Sequence, residues 1–283
     1  MHIAAPRSSI AQFSIIGLQT VGRNEPIGQG ISMRKPERLK EGDKVAAITL
    51  SWGGPGAFPH RYAVGKKQLE EAFNLQVVET AHALADPDWI YRNPQARADD
   101  LMEALIDPSI KAIISTIGGD DSVRILPYLD MDTIIHHPKI FMGYSDTTIT
   151  HMAFYKAGIT SFYGPSFMAG FAENGGMFPY MIDSMRRTLF DDEPIGLISP
   201  HTGGWAVERL EWGEVENQDK IRTRNPSTPW RFINGQKPAR GHLLGGCADV
   251  LEYLKGTNFF PAIECWKGAI LFLETSELAP APE

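Results

Sequence analysis

Short apolar runs alternate with amphipathic segments from residue 44 to residue 190, and this alternation most limits the folds open to the chain. Residues 44–50 (KVAAITL) form an apolar run that ends in a glycine-rich turn, and residues 60–73 then show helical spacing. Further strand-like runs lie at 75–80, 110–117, 139–142 and 161–163, and helix-like segments lie at 97–106, 147–156 and 177–189. Strands that alternate with helices predict an α/β fold with a doubly wound, mostly parallel sheet covered on both faces.

Changes in this pattern predict four regions. Residues 1–35 lack clear periodicity and are expected to be a poorly ordered extension, whereas residues 36–190 form the α/β domain. Residues 191–240 are irregular and contain several Pro, Gly and Trp residues, which predicts a linker and a functional loop. Regular pattern returns at 241–283, where the run AILFLE is a strand of a smaller C-terminal β/α domain that we expect to be incomplete.

The composition argues against several classes of function. A net charge of −7 offers no basic surface for a nucleic acid polymer, and no apolar run reaches the ~18 residues that span a membrane. The two cysteines, Cys247 and Cys265, form neither a disulfide framework nor a CxxC metal motif, which fits a reducing cytoplasm. The sequence has no HExxH motif and no P-loop, so we expect no metal and no cofactor.

Ser145 lies in the run GYSDTT (143–148), directly after the strand-like residues 139–142. A nucleophilic serine needs a sharp turn from a strand into a helix, which exposes its hydroxyl at the carboxyl edge of a parallel sheet. Asp146 follows at the predicted helix start, where a backbone N–H faces developing negative charge favourably. Thr147 stands where the hydrolase motif G-x-S-x-G has its last glycine, so a serine that only caps a helix is the alternative.

A second glycine-rich turn, GGDDS at 118–122, follows the strand-like run 110–117. In a doubly wound sheet, consecutive strand ends often lie side by side at the edge where ligands bind. The backbone N–H groups of Gly118 and Gly119 are therefore candidates to complete an oxyanion hole with that of Asp146. The alternative is a tight turn that needs glycine only for its backbone conformation.

Four motifs together make the chain resemble a known family. They are STIGGDDS at 115–122, GYSDTT at 143–148, GHLLGGC at 241–247 and ILFLETSE at 270–277. In this order and approximate spacing they resemble the LD-carboxypeptidase family of serine peptidases, and within it the microcin C immunity branch. The resemblance extends from residue 36 to the last residue.

This resemblance implies a two-domain enzyme, a homodimer, with a Ser-Glu-His triad. The implied nucleophile is Ser145, and the implied acid is Glu274, the first glutamate of LFLE. The implied oxyanion donors are the N–H groups of Gly118 or Gly119 and of Asp146. An acid that closes an apolar strand is costly without a partner, which agrees with this role for Glu274, although a surface acid at a strand end is the alternative.

The family's histidine lies well beyond the glutamate, whereas nine residues follow Glu274 here. None of the eight histidines fits the role by its position, and His151 is expected to pack in a helix or face solvent. We therefore expect the chain to be truncated before its catalytic base and to be weakly active or inactive on its own.

Two substrate classes follow from the resemblance. LD-carboxypeptidases remove a terminal D-amino acid from a muropeptide, whereas the microcin branch cuts an amide that joins a peptidyl or aminoacyl group to a modified nucleotide. The acidic turn with Asp120 and the loop that carries Trp212 and Trp205 favour the second class, because an exposed indole can stack on adenine. The alternative is that either tryptophan only anchors the loop.

Two other classes of protein are alternatives to a serine peptidase. A non-catalytic binding module with the same cleft would explain the missing histidine, but it would not need Ser145 and Glu274. An enzyme of the glutamine amidotransferase type would need a cysteine at the position of Ser145, and both cysteines lie elsewhere.

Overall fold

The computed structural model describes residues 33–198, 200–228, 231, 233–234 and 238–276. Residues 1–32, most of the extension expected from the sequence, lie outside these ranges. The β-strands of the described residues are β1 Lys44–Ile48, β2 Gln76–Glu79, β3 Ile110–Ser115, β4 Ile140–Gly143, β5 Phe162–Tyr163, β6 Leu243–Cys247 and β7 Ile270–Glu274. The helices are α1 Gly54–Ala57, α2 Pro59–Phe73, α3 Pro87–Arg92, α4 Pro94–Ile106, α5 Met131–His136, α6 Thr148–Lys156, α7 Pro179–Met185 and α8 Ala248–Leu254.

The first five strands form one parallel sheet in the order β2-β1-β3-β4-β5. This confirms the mostly parallel α/β sheet predicted from the sequence. The strand order reverses between β1 and β3, and ligands of such sheets bind beyond the carboxyl ends of the strands at this point. The turns that follow β1, β3 and β4 therefore meet where a binding site is expected.

Both faces of this sheet are covered, which explains why its strands are apolar along their whole length. In β1, Val45 and Ala47 pack into the core on one face, and Ala46 and Ile48 pack into the core on the other. The first core receives apolar side chains of α2 and of residues 167–171, and the second receives side chains of α4 and α6. The alternation follows from the two-residue period of a strand.

A second, smaller sheet joins β6 and β7 in parallel, with Cys247 opposite Glu274. It packs on α6 through Leu244 of β6 and the apolar residues of α8. A Cβ on Gly246 would lie 2.6 Å from Thr148 Cγ2, so a glycine is required where this sheet meets the start of α6. The docking brings the end of β7 to the end of β4. No helix of the described ranges combines the length and the apolar character needed to cross a bilayer.

Candidate active site

Ser145 occupies a sharp turn between β4 and α6. Its φ is +59°, a left-handed conformation that is uncommon for a residue with a side chain. Residues Ser145–Thr147 form one turn of 3-10 helix, which continues directly into α6. Within the described residues the Ser145 hydroxyl caps no helix and makes no hydrogen bond. A side chain held in a strained turn, with its hydroxyl unused, fits a nucleophile better than a helix cap.

Gly118 lies against this serine. A Cβ on Gly118 would be 3.1 Å from Ser145 Cβ, 3.2 Å from Ser145 Oγ and 3.6 Å from Asp146 N. The neighbouring Gly119 is equally confined, because a Cβ there would lie 2.9 Å from the backbone nitrogen of Trp52. Within the described chain, the N–H groups of Gly118, Gly119 and Asp146 have no protein acceptor. The glycine-rich turn thus packs directly against the serine turn, and these N–H groups lie in the two segments for which the sequence predicted an oxyanion hole.

The side chain of Asp146 fixes the serine turn from behind. It is fully buried, and its Oδ2 accepts hydrogen bonds from Ser51 Oγ and from the backbone N–H of Ser122, the latter at 2.8 Å. The hydroxyl of Ser122 donates to the carbonyl oxygen of Asp146 at 2.7 Å. Burial raises the pKa of the Asp146 carboxyl above its usual range. These bonds tie the ends of β1, β3 and β4 together.

Arg97 of α4 completes this support. Its guanidinium is fully buried and donates to the carbonyl of Leu50 at 3.0 Å and to both carboxylate oxygens of Asp121 at 2.9 and 3.2 Å. The second acid of the GGDDS turn therefore holds the turn in place. The first acid, Asp120, is exposed, and its predicted substrate role stays a prediction.

Glu274 lies at the end of β7 and reaches the serine turn. Its Oε1 accepts the backbone N–H of Ser145 at 3.1 Å and the hydroxyl of Tyr163. The hydroxyl oxygen of Tyr163 also accepts the N–H of Ser145 at 2.9 Å. Burial, and then the Glu274 carboxylate, raise the pKa of Tyr163, which keeps it a donor. The structure thus brings together two residues that the sequence predicted for one site.

His151 lies beneath the serine turn and does not face it. It is buried, with Nε2 2.9 Å from the carbonyl oxygen of Gly143 and Nδ1 2.8 Å from Ser161 Oγ. Burial lowers its pKa to about 4, so the ring is neutral near pH 7 and Nε2 donates to the carbonyl. None of the described histidines hydrogen-bonds to Ser145.

The two predicted tryptophans differ in their surroundings. Trp212 is half-buried and contacts Phe58 edge-to-face, with ring centroids 5.9 Å apart. Phe58 in turn contacts Trp52 at 6.0 Å, and the Trp52 N–H donates to the carbonyl of Gly118 at 3.2 Å. Trp205 pairs with Asn225 within the same loop. A row of aromatic rings therefore connects Trp212, but not Trp205, to the glycine-rich turn.

Sequence reasoning did not identify three residues that support the site. Arg97 had a detectable signal, since it is a charged residue on the buried face of an amphipathic helix. Asp121 lies in the acidic turn that the sequence singled out, but its pairing with Arg97 was not predicted. Tyr163 had no signal, because its partner Glu274 comes from a distant part of the chain. In the described ranges, no group of three or more His, Cys, Asp or Glu residues is arranged to hold a metal ion.

The fold and the site define an α/β protein with a serine in a strained turn, a glycine-rich turn packed against it and a carboxylate from a second sheet. The family model of the LD-carboxypeptidase N-terminal domain matches residues 45–164, and that of the C-terminal domain matches residues 240–282. The chain belongs to the LD-carboxypeptidase family, a family of hydrolases. The family resemblance in the four motifs is thereby confirmed.

Three similar proteins illustrate the range of the family. The microcin C7 self-immunity protein MccF of Escherichia coli is 33% identical over 64% of this chain and 51% of its own length. A Bacillus subtilis protein named "Probable murein peptide carboxypeptidase" is 32% identical over 87% of this chain and 66% of its own. The crystal structure of an MccF-like protein from Streptococcus pneumoniae in complex with AMP superposes with a TM-score of 0.73 and 32% identity, over 83% of this chain and 73% of that one.

MccF has also been solved in complex with aspartyl sulfamoyl adenosine, and that structure superposes with a TM-score of 0.70 and 28% identity. It covers 84% of this chain and 70% of that chain. The present chain therefore spans from half to three quarters of the length of these relatives.

Proposed function

We propose that this protein is a serine peptidase or amidase with Ser145 as nucleophile and Glu274 as the acid of a Ser-Glu-His triad. One observation carries the proposal: the strained turn of Ser145 packs against Gly118 and is hydrogen-bonded to Glu274, which comes from the other sheet. The histidine of the triad is proposed to come from outside the described residues. His151 is buried, and both of its ring nitrogens are already hydrogen-bonded to other groups.

In the proposed reaction, the Ser145 hydroxyl adds to the carbonyl carbon of an amide and its proton passes to the imidazole base. The carbonyl oxygen becomes an oxyanion and accepts hydrogen bonds from the N–H groups of Gly118 or Gly119 and of Asp146. The amine then leaves with the proton from the imidazole, and an acyl-serine remains. Water, activated by the same base, releases the acid and restores the serine. Glu274 holds the base in the required tautomer throughout.

The proposed substrates are small peptidyl- or aminoacyl-nucleotide amides of the microcin type, cleaved in the cytoplasm. Two observations support this class. Similar proteins have been solved with AMP and with aspartyl sulfamoyl adenosine. In this chain Trp212 is half-buried at the end of an aromatic row that begins at the glycine-rich turn, where its ring can stack on a purine.

A second proposal is removal of a terminal D-amino acid from a muropeptide. The similarity to the B. subtilis protein supports it, because the name of that protein gives murein peptides as its substrate. A third proposal is a binding protein that does not catalyse hydrolysis, which would leave Ser145 unreactive.

We also propose that the protein is a homodimer. Light scattering of the purified protein in solution tests this oligomeric state.

The test compares hydrolysis of aspartyl sulfamoyl adenosine and of an LD-linked muropeptide tetrapeptide by the full-length protein. We expect release of aspartate and sulfamoyl adenosine, and loss of this reaction in Ser145→Ala and Glu274→Gln. Gly118→Ala should lower kcat by about 10²- to 10³-fold, because its methyl group obstructs the oxyanion pocket. Cleavage of the tetrapeptide alone would favour the second proposal. Absence of both reactions, with no labelling of Ser145 by a fluorophosphonate, would favour the third.

A further inference from the structure

Arg61, in the first turn of α2, is a buried cation whose hydrogen-bond acceptors are all neutral. The residue is 5% exposed, and it donates to the Met168 carbonyl at 2.9 Å, to Asn174 Oδ1 at 3.1 Å and to Gln218 Oε1 at 3.2 Å. The nearby Glu173 is bound instead by Arg222, at 2.7 and 2.6 Å. Burying a cation without a carboxylate partner raises the free energy of the folded state. Other contacts of the guanidinium must offset this cost.

The guanidinium also lies over the ring of Trp212, 4.2 Å from its centroid. The residue before it, His60, hydrogen-bonds through Nε2 to the backbone carbonyl of Trp212 at 2.7 Å. Phe58, two residues before His60, makes an edge-to-face contact with the same ring. Three residues at the start of α2 therefore contact Trp212, two of them at its ring and one at its backbone.

We infer that Arg61, assisted by His60, is a positioning residue that fixes the Trp212 indole as a platform for the purine base of the substrate. The inference rests on the proposed function and extends it to the residues that build the nucleotide subsite. Because Phe58 also contacts Trp52, and Trp52 is bound to Gly118, the platform and the oxyanion pocket have a fixed relative position.

The arrangement has two physical consequences. Arg61 contacts the loop at both Gln218 and Trp212, so it helps to order the loop before the substrate binds. The cation also withdraws electron density from one face of the indole, which favours stacking of an electron-rich purine on the other face. A lysine keeps the charge but not the planar fork, and it therefore cannot replace this arginine.

The experiment uses the full-length chain and two readouts. Limited trypsin digestion reports the order of the loop through cleavage after Arg209, Lys220 and Arg222. Calorimetric titration with AMP reports the nucleotide subsite, with ribose 5-phosphate as the ligand that lacks a base. We expect Arg61→Lys to accelerate loop cleavage by about 5-fold or more and to weaken AMP binding by about 3- to 30-fold. Binding of ribose 5-phosphate should change less than 2-fold.

Arg224→Lys is the matched control, because Arg224 lies in the same loop and stacks on Phe178 at 4.5 Å without touching Trp212. It should leave AMP affinity unchanged. His60→Leu removes the hydrogen bond to the Trp212 carbonyl and should shift both readouts in the same direction, which keeps the test valid if Arg61→Lys does not fold.

Several results would overturn the inference. Loop cleavage at the wild-type rate in both Arg61→Lys and His60→Leu excludes a positioning role, whatever the ligand. Equal losses for AMP and ribose 5-phosphate show that the platform does not serve a base. Failure of the unaltered protein to bind AMP excludes the nucleotide subsite, and with it the preferred substrate class, while leaving hydrolysis by Ser145 to be judged by the muropeptide assay.

Discussion

At the scale of single residues, the site depends on strain at Ser145. A non-glycine residue at φ +59° raises the free energy of the folded state by about 1–3 kcal/mol, and the surrounding contacts must hold it there. Here the Ser145 N–H is bound by Tyr163 and Glu274, and Asp146 is anchored to Ser51 and Ser122. The serine therefore keeps a fixed position without using its own hydroxyl.

This strain predicts an unusual order of stabilities. Ser145→Gly should be more stable than Ser145→Ala by about 1 kcal/mol, because glycine adopts positive φ freely whereas alanine does not. Urea unfolding of the two variants measures the difference in the free energy of unfolding. Ser109 is the control, because it is exposed and lies outside the positive-φ region. There Ser109→Ala should be more stable than Ser109→Gly. Equal stabilities of the two Ser145 variants would show that the turn is not strained.

At the scale of elements, α4 supports the site through one buried ion pair. Arg97 bridges the end of β1 and the turn after β3, and Asp121 receives it with both oxygens. Arg97→Met should lower the free energy of unfolding by about 3 kcal/mol, because it leaves a largely buried carboxylate without its main partner. Thermal and urea unfolding measure the loss.

The exposed pair of Arg92 and Asp88 on α3 is the matched control for this substitution. Arg92→Met should change stability by less than about 0.5 kcal/mol, since exposed ion pairs contribute little. Adding Asp121→Asn to Arg97→Met should restore part of the loss. If Arg97→Met is as mild as Arg92→Met, the buried pair does not stabilise the turns of the site.

Local pattern predicted the elements well. The runs at 44–50, 110–117 and 139–142 correspond to β1, β3 and β4 within two residues at each end. Helix α4 begins at Pro94, three residues before the predicted start, because a proline is well tolerated in the first turn and carries no apolar signal. Periodicity is a local property, so it finds elements and leaves their partners undetermined.

The site was predictable only where a motif marked it. Ser145, Gly118 and Glu274 lie in recognisable runs, and the structure places them together. The contact of His60 with Trp212 joins residues 152 positions apart, and nothing in either local sequence indicates it. Arg97 pairs with Asp121 and not with the adjacent Asp120. This choice depends on the backbone conformation of the turn, which the composition does not specify.

At the scale of the whole molecule, a neutral buried histidine makes stability depend on pH. Burial lowers the pKa of His151 from 6.5 to about 4. Below pH 6.5 this imidazole therefore binds a proton in the unfolded chain but stays neutral in the folded chain. The contribution of His151 to stability is therefore present above pH 6.5 and is lost as pH falls towards 4. The loss amounts to at most about 3 kcal/mol.

We expect His151→Gln to flatten this part of the stability profile, because glutamine can donate to the Gly143 carbonyl without titrating. Urea unfolding between pH 4 and pH 7 measures the slope for both proteins. His136→Gln, a substitution of an exposed histidine, should retain the slope of the unaltered chain. A slope that survives in His151→Gln would assign the acid sensitivity to other groups.

The distance along the chain between Ser145 and Glu274 has a consequence for how the protein is made. The two residues are separated by 129 positions, and the second arrives only with the last strand of the small sheet. At about 5–20 residues per second, a ribosome needs roughly 6 to 26 s to travel from one codon to the other. During that interval the α/β domain can fold while Ser145, the proposed nucleophile, still lacks its proposed partner acid. On the proposed mechanism, such a nascent chain does not hydrolyse its substrate before the smaller sheet has been translated.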